Sequence, residues 1–175
     1  MDIVFVSYNS EKWIEGCFTS IRKSNYNLKK ISVYVVDNGS TDQSLEKLKS
    51  EKEKCIGYVQ EFEIIETNKN LGFGGANNIG ARKGKDDIIC FFNMDTEIFP
   101  ETLLELERDI RQSSSEYAIW ELRQFPYEHP KMYDPLTHET SWCSGAAFAI
   151  RRSVFEQVNG FDSAIFMYAE AVSYT

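Results

Sequence analysis

The stretch FFNMDTEIFP, at positions 91–100, joins an apolar run to residues that bind metals in other proteins. Asn93, Asp95 and Glu97 follow the run directly, and Pro100 comes three residues after Glu97. One interpretation is structural, because polar residues commonly cap a helix that begins at a proline. The other is chemical, because carboxylate and amide oxygens are ligands that Mg²⁺ and Mn²⁺ prefer. The stretch alone leaves both interpretations open.

The composition is that of a folded, acidic chain. Of its 175 residues, 42% are hydrophobic, and the formal net charge is -8 with a pI near 4.9. This length and this hydrophobic content suffice for one core, so we expect a single domain over residues 1–175. The negative charge argues against a nucleic-acid-binding protein, which needs a basic face for phosphates. An anionic ligand therefore needs a local site built from a metal ion or from backbone N–H groups.

The cysteines and the hydrophobic runs indicate the cellular compartment. Cys17, Cys55, Cys90 and Cys143 lie far apart and form no C-x-x-C pair, so we expect free thiols in a reducing cytoplasm. No apolar run approaches the ~20 residues of a transmembrane helix, and no signal peptide is visible. These features predict a cytoplasmic protein, either free or held at the inner face of the membrane. The sequence leaves its oligomeric state open.

Strand and helix patterns alternate along the chain. They predict strands at 2–8, 31–37, 58–67 and 87–93, helices at 9–24 and 39–54, a glycine-rich loop within 70–84 that leads into a short helix, and a helix from about Pro100. Such alternation predicts a Rossmann-like α/β fold, with a mostly parallel sheet and helices on both of its faces. Ligands of such sheets bind at the carboxyl ends of the strands.

Polar residues collect at those predicted carboxyl ends. They are Ser7, Tyr8 and Asn9 after the first strand, Asp37 and Asn38 after the second, and Asn93 and Asp95 after the fourth. Each group by itself is also what a simple turn contains. Three groups at one edge, with a glycine-rich segment beside them, favour a small-molecule site.

Five segments, in this order, resemble the motifs of the family 2 glycosyltransferases, which have the GT-A fold. They are VSYN at 6–9, VVDNGSTD at 35–42, NLGFGGANNIG at 70–80, FFNMDTEI at 91–98 and WCSGAAFAIRRSVFEQVNGFD at 142–162. The rhamnosyltransferase-like members, which build bacterial surface polysaccharides, are the most similar. The resemblance covers nearly the whole chain. It implies an enzyme that transfers a sugar, with inversion, from a UDP- or dTDP-sugar to a glycan or lipid-linked acceptor.

The resemblance also implies roles for particular residues. Asp37 would contact the uracil or thymine base and the ribose, with the backbone at Ser7 and Tyr8 beside the base. The segment NMDT stands where the family carries its D-x-D motif, so Asp95 would bind Mg²⁺ or Mn²⁺ at the two phosphates. Donor contacts are expected from Ser7, Tyr8, Asn9, Asp37, Asn38, Gly72, Asn77, Asn78, Asn93 and Asp95. Gly145 is expected at the acceptor, and Trp142 either lines the acceptor pocket or packs in the core.

The chain departs from the family pattern near its end. The family reads GFDE.FFMY.ED there, and a carboxylate of that segment is usually assigned as the catalytic base, whereas this chain reads GFDSAIFMYAEA. Glu170 is therefore the expected base, and Ala171 stands where the family has an aspartate. We expect the chain to lack its C-terminal acceptor-side part.

Two functions other than sugar transfer are compatible with parts of the sequence. A non-catalytic nucleotide-sugar or glycan-binding module is the alternative that Ala171 keeps open. A nicotinamide-dependent dehydrogenase is disfavoured, because its G-x-G-x-x-G fingerprint follows the first strand and the glycine-rich segment here follows the third.

Overall fold

The computed structural model describes residues 1–128 and 130–166. In chain order the elements are β1 Asp2–Ser7, α1 Ile14–Arg22, a 3₁₀ turn Leu28–Lys30, β2 Ser32–Asp37, α2 Ser44–Cys55, β3 Glu61–Glu66, α3 Gly72–Ala81, β4 Ile88–Asn93, α4 Thr102–Gln112, β5 Ile119–Glu121, β6 Ala147–Arg151 and α5 Arg152–Gln157. In the described ranges, no helix has the length and apolar character needed to cross a membrane.

The centre of the fold is a six-stranded sheet with the strand order β3-β2-β1-β4-β6-β5. Strands β3, β2, β1 and β4 are parallel, whereas β6 is antiparallel to both of its neighbours. The predicted mostly parallel sheet is therefore confirmed. The chain order reverses between β1 and β4, and α/β sheets bind their ligands at such a switch point.

Both faces of the sheet are apolar and covered by helices, as the alternation predicted. The face toward α1, α2 and α4 carries the buried side chains of Ile3, Phe5, Val33, Val35, Cys90 and Phe92. The face toward α3 and α5 carries those of Val4, Tyr34, Ile89, Phe91 and Phe148. Successive residues of a strand point to opposite faces, so strands that are covered on both sides need apolar residues throughout.

The glycine-rich segment is a helix, and the prediction of a loop over its glycines was wrong. Helix α3 begins at Gly72 and also contains Gly74, Gly75 and Gly80. Glycine disfavours a helix by about 1 kcal/mol relative to alanine, but here it permits close packing. A Cβ on Gly80 would lie 2.5 Å from Val4 Cγ1 and 3.3 Å from Val36 Cγ2. The contact of α3 with the sheet thus compensates for the poor intrinsic propensity.

Two predicted helices begin later than their sequence patterns indicated. Helix α1 begins at Ile14 and α2 at Ser44, about five residues after the predicted starts of 9 and 39. The residues between each strand and its helix form hydrogen-bonded turns at the carboxyl edge of the sheet. Those turns, and not longer helices, surround the predicted site.

Substitution of Gly80 tests the close packing of α3. We expect Gly80→Ala to lower the free energy of unfolding, because overpacking costs about 1–3 kcal/mol and exceeds the propensity gain of up to about 1 kcal/mol. Gly75→Ala is the matched control, since its Cβ would meet only the Leu71 side chain, at 3.3 Å. Urea unfolding of both variants measures the difference. Equal stabilities would mean that α3 has room to move away from β1.

Candidate functional site

The carboxyl ends of β1 and β2 lie side by side, with Ser7 as the register partner of Asp37. The backbone N–H of Asn38 donates to the carbonyl oxygen of Ser7 at 2.7 Å. Ser7 Oγ and Asp37 Oδ1 are buried and have no hydrogen-bond partner in residues 1–128 and 130–166. An unpaired buried polar group costs about 1–3 kcal/mol, so such atoms usually bind water or a ligand. These two atoms make this edge a candidate binding site.

The turns after β1 and β2 are bound to each other. Asn9 has a φ of 50°, its backbone N–H donates to Ser40 Oγ at 3.1 Å, and its Oδ1 accepts from the N–H of Thr41 at 2.8 Å. Ser40 and Thr41 therefore hold this turn, and within the described residues the N-cap side chain of α2 makes no capping hydrogen bond. Tyr8 is 48% exposed at the same edge. Donor contacts of Tyr8 and Asn9 stay predictions.

The side chain of Asn38 connects the end of β2 to the start of α3. Its Nδ2 donates to Asn70 Oδ1 at 2.9 Å and to the carbonyl oxygen of Gly72 at 3.3 Å. Its Oδ1 accepts from the N–H of Leu71 at 2.9 Å and from Thr67 Oγ1 at 3.2 Å. Both amide hydrogens and both lone pairs are thus used within the protein. Asn38 shapes the loop before α3, and its predicted donor contact would need one of these bonds to break.

Strand β4 brings Asn93 and Asp95 to the same edge. Asn93 is the register partner of Val6 on β1, and its N–H donates to the carbonyl oxygen of Ala146 at 2.8 Å. The chain turns after Asn93, so that Met94 is buried and Asp95 is exposed. The Asp95 carboxylate is therefore accessible to a ligand at the end of a strand next to β1.

Glu97, the second carboxylate of the stretch, lies against α1. A Cβ on Gly16 would be 2.5 Å from its Oε1. Burial raises the pKa of the Cys17 thiol above its ordinary value, and the charges of Glu97 and Asp95 raise it further. The Cys17 thiol thus stays protonated and unreactive beneath the site.

No group of three or more His, Cys, Asp or Glu side chains in the described residues is placed to hold a metal ion. A closed protein cage is therefore absent from that part of the chain. Mg²⁺ sites that also bind phosphates have a different composition, because one or two carboxylates suffice when substrate phosphates and water complete the shell. Asp95, with the amide of Asn93 two residues earlier, fits this open type of site.

The neighbouring asparagines of α3 have different surroundings. Asn78 Nδ2 donates to the carbonyl oxygen of Phe161 at 2.8 Å, and Asn78 Oδ1 accepts from the N–H of Phe161 at 2.9 Å. Asn77 Nδ2 is buried and has no partner within the described ranges. At the start of α3, Gly72 has a φ of 76°, and a Cβ there would lie 2.5 Å from the carbonyl oxygen of Phe166. Glu170 and Ala171 lie outside the described residues.

A cleft of about 1660 Å³ opens beside Asp95. The loop after β4 and helix α4 form one wall, and β5 with the following segment forms the other. Its carboxylates include Asp95, Glu97, Glu101, Glu105, Glu121 and Glu139, and its aromatic residues include Phe99, Phe125, Tyr127 and Tyr133. The cleft is therefore acidic and rich in rings.

Trp142 belongs to a buried ion-pair network at this cleft. The Lys131 ammonium lies 4.2 Å from the centroid of the Trp142 ring and pairs with the Glu121 carboxylate, and the Lys131 side chain is fully buried. Glu121 Oε1 also accepts from the N–H of Ser144 at 2.9 Å. The ring thus has a packing role, one of the two alternatives from the sequence, and the acceptor contacts of Trp142 and Gly145 stay predictions.

A family model described as glycosyl transferase family 2 matches residues 2–159. The chain is 27% identical over 121 residues to the poly(ribitol-phosphate) beta-N-acetylglucosaminyltransferase TarS of Staphylococcus aureus, over 69% of this chain and 20% of that protein. It is 24% identical over 218 aligned positions to an N-acetylglucosaminyl-diphospho-decaprenol L-rhamnosyltransferase of Mycobacterium tuberculosis, over 98% of this chain and 68% of the relative. The chain thus spans about a fifth of the length of TarS.

Solved structures of transferases share the fold. S. aureus TarS 1-349 in complex with UDP has a TM-score of 0.77 at 20% identity, over 98% of this chain and 52% of that one. The mannosyltransferase PcManGT of Pyrobaculum calidifontis, in complex with GDP-Man and Mn²⁺, has a TM-score of 0.79 at 18% identity, over 99% and 49%. These likenesses confirm the GT-A fold that the motifs predicted.

Substitution of Asn38 tests its role at the edge of the sheet. Asn38→Ala removes the acceptor of the Leu71 N–H and the donor to the carbonyl oxygen of Gly72, whereas Asn70 Oδ1 still accepts from the N–H of Gly72. We therefore expect the free energy of unfolding to fall by at least about 2 kcal/mol. Asn68→Ala, an exposed amide in the same loop, should change it by less than about 0.5 kcal/mol. Chemical denaturation measures both values, and hydrogen exchange of the Leu71 N–H reports the loop directly. Unchanged exchange in Asn38→Ala would contradict this role.

Proposed function

The chain belongs to the glycosyl transferase family 2, and we propose that it transfers a sugar from a UDP- or dTDP-sugar to a glycan or lipid-linked acceptor. The process it would serve is the synthesis of bacterial surface polysaccharide, as the names of its relatives suggest. One observation carries the proposal: at the ends of adjacent strands lie buried atoms of Ser7 and Asp37, which have no partner among the described residues, and the exposed carboxylate of Asp95. A nucleoside would lie at Ser7 and Asp37, and its diphosphate would lie at Asp95.

Asp37 is suited to a uracil or thymine base. Its Oδ2 accepts from the N–H of Ser40 at 3.3 Å, which leaves Oδ1 for a ligand. The imide N–H of uracil or thymine, or a ribose hydroxyl, would donate to this oxygen. The hydroxyl of Ser7, on the adjacent strand, would supply a second contact with the nucleoside.

Asp95 would hold Mg²⁺ or Mn²⁺ against the diphosphate, with the Asn93 amide nearby. Such an ion, when bound, stabilises the negative charge that develops on the departing nucleoside diphosphate. The protein's part is to present one exposed carboxylate where the phosphates of a nucleotide at Asp37 would extend. PcManGT, which shares the fold, was solved with Mn²⁺.

The transfer itself forms a bond from an acceptor oxygen to the anomeric carbon and breaks the bond from that carbon to the diphosphate. The attacking oxygen loses its proton to a base, which contributes about 10²–10⁴-fold to the rate. Attack from the face opposite the diphosphate inverts the anomeric centre. Glu170 is the proposed base.

The acidic cleft beside Asp95 is the proposed acceptor site. Sugar hydroxyls donate well to carboxylates, and aromatic rings pack against the apolar faces of sugar rings. Carboxylates on both walls would repel a phosphate polymer of the kind named for TarS. A neutral glycan therefore suits this cleft better than a polyanion.

Replacement of Asp95 tests the metal site. In the presence of Mn²⁺, Asp95→Asn should lower the affinity for UDP at least about tenfold, because the remaining amide neutralises no charge on the ion. In EDTA the variant and the wild type should bind UDP equally. Glu116→Gln, which removes one exposed carboxylate away from the cleft, is the control and should bind as the wild type does. Calorimetry that gave Asp95→Asn the wild-type Mn²⁺ dependence would exclude Asp95 as the ligand.

A comparison of nucleotides tests the site at Asp37. UDP or dTDP should stabilise the protein more than ADP or GDP, because only their bases offer an imide N–H in the place expected for it. A ligand at about 100 times its Kd adds about 2.7 kcal/mol, which raises Tm by about 5–10 °C for a chain of this size. Greater stabilisation by ADP or GDP would refute the assignment.

Release of UDP from a UDP-sugar with Mn²⁺ separates an enzyme from the alternative, a non-catalytic binding module.

A further inference from the structure

Helix α3 runs from the carboxyl edge of the sheet toward its middle. At the edge, Asn38 bonds to the N–H of Leu71 and to the carbonyl oxygen of Gly72. Further along the helix, Gly80 touches Val4 and Val36 in the interior of the sheet. Any residue on the same face between Gly72 and Gly80 therefore lies between the carboxyl edge and the core.

Asn77 lies on that face, because it precedes Gly80 by three residues. It is about 4.5 Å nearer the edge along the helix axis, whereas Val4 and Val6 are about 6.6 Å apart along β1. Asn77 is thus between the levels of Val4 and Val6 and nearer to Val6, whose register partner is Asn93. Val4 and Phe91 face α3, so the side chains of Val6 and Asn93 face it as well. The last row of the sheet before the proposed phosphate site is therefore next to Asn77.

The Asn77 side chain has a hydrogen-bond donor to offer. The residue is 2% exposed, and its Nδ2 has no partner in residues 1–128 and 130–166. Buried amide hydrogens are costly when unpaired, and native proteins pair them with protein atoms, water or ligands. An oxygen that arrives with a ligand would satisfy this donor.

Asn78, the next residue, makes hydrogen bonds through both its Nδ2 and its Oδ1. Its amide makes two hydrogen bonds to the backbone of Phe161, and a Cβ on Gly160, whose φ is 76°, would lie 2.4 Å from Asn78 Oδ1. Gly74 continues this contact, since a Cβ there would be 2.9 Å from the Cβ of Phe161. Asn78 therefore fixes the segment after α5 against α3 through both its Nδ2 and its Oδ1.

We propose that the two asparagines have different tasks: Asn77 donates to an oxygen of the donor's sugar-diphosphate part, and Asn78 is a positioning residue that holds the segment around Phe161. This inference rests on the proposed function and deepens it. From the sequence alone, Asn77 and Asn78 are equivalent candidates for a contact with the donor. The oxygen belongs either to a phosphate or to the sugar, and both are hydrogen-bond acceptors.

The test compares Asn77→Ala with Asn78→Ala in the binding of UMP, UDP and UDP-N-acetylglucosamine, each with Mn²⁺. We expect Asn77→Ala to weaken the binding of UDP-N-acetylglucosamine about tenfold, or about 1.4 kcal/mol, and to leave Tm unchanged or raised. UMP binding should fall with it only if the oxygen is on the α-phosphate. An equal loss for UDP assigns the oxygen to a phosphate, and a loss confined to UDP-N-acetylglucosamine assigns it to the sugar. Asn78→Ala should lower Tm by several degrees and weaken all three ligands alike.

Two results would overturn the inference and leave the proposed function standing. Wild-type affinities in Asn77→Ala would mean that water satisfies the buried amide. A selective loss of UDP-N-acetylglucosamine in Asn78→Ala, without a fall in Tm, would exchange the two roles. Failure of the wild type to bind any of these nucleotides would instead contradict the proposed function.

Discussion

The hydrogen bonds of Asn38 are the constraint on which the carboxyl edge of this sheet depends. The backbone N–H of Asn38 fastens the end of β2 to Ser7 on β1, and its side chain fastens the same point to the loop and the first turn of α3. Three elements that are distant in sequence are thereby held at one buried amide. Because hydrogen bonds in low dielectric are strong when complete and costly when broken, the edge has one defined shape before any ligand binds.

This arrangement divides the polar residues of the edge into two sets. The amides of Asn9, Asn38 and Asn78 are used to hold turns, the loop before α3 and the segment after α5. Ser7 Oγ, Asp37 Oδ1 and Asn77 Nδ2 are buried without partners in the described residues. The first set makes the second possible, because unpaired buried atoms persist only where the surrounding structure is over-determined. A preorganised site of this kind avoids the entropy cost of ordering loops on binding.

The sequence predicts the frame of this site better than its details. Strands β1, β2 and β4 are recognisable because central parallel strands are apolar runs, and the polar residues after them then share one edge. A short helix is predicted within 70–84, but its start at Gly72 is not, because glycine content argues for a loop, while the packing of Gly80 on Val4 depends on a residue 76 positions away. The short strands β5 and β6 gave no clear pattern. Likewise, nothing local distinguishes Asn77 from Asn78, since the partner of Asn78 is 83 residues further along the chain.

The charge distribution bears on how an acidic chain binds an acidic donor. Three buried or half-buried cations are paired with carboxylates, in the pairs Arg22–Glu51, Lys131–Glu121 and Arg152–Asp2. Removing one partner from such a pair is strongly destabilising, so these side chains are poorly suited to leave their partners for a diphosphate. In the function proposed above, positive charge at the edge would come from an ion that binds together with the ligand. Within the described residues, Asp95 is exposed and belongs to no complete set of protein ligands. This fits an ion whose other ligands are phosphate oxygens and water.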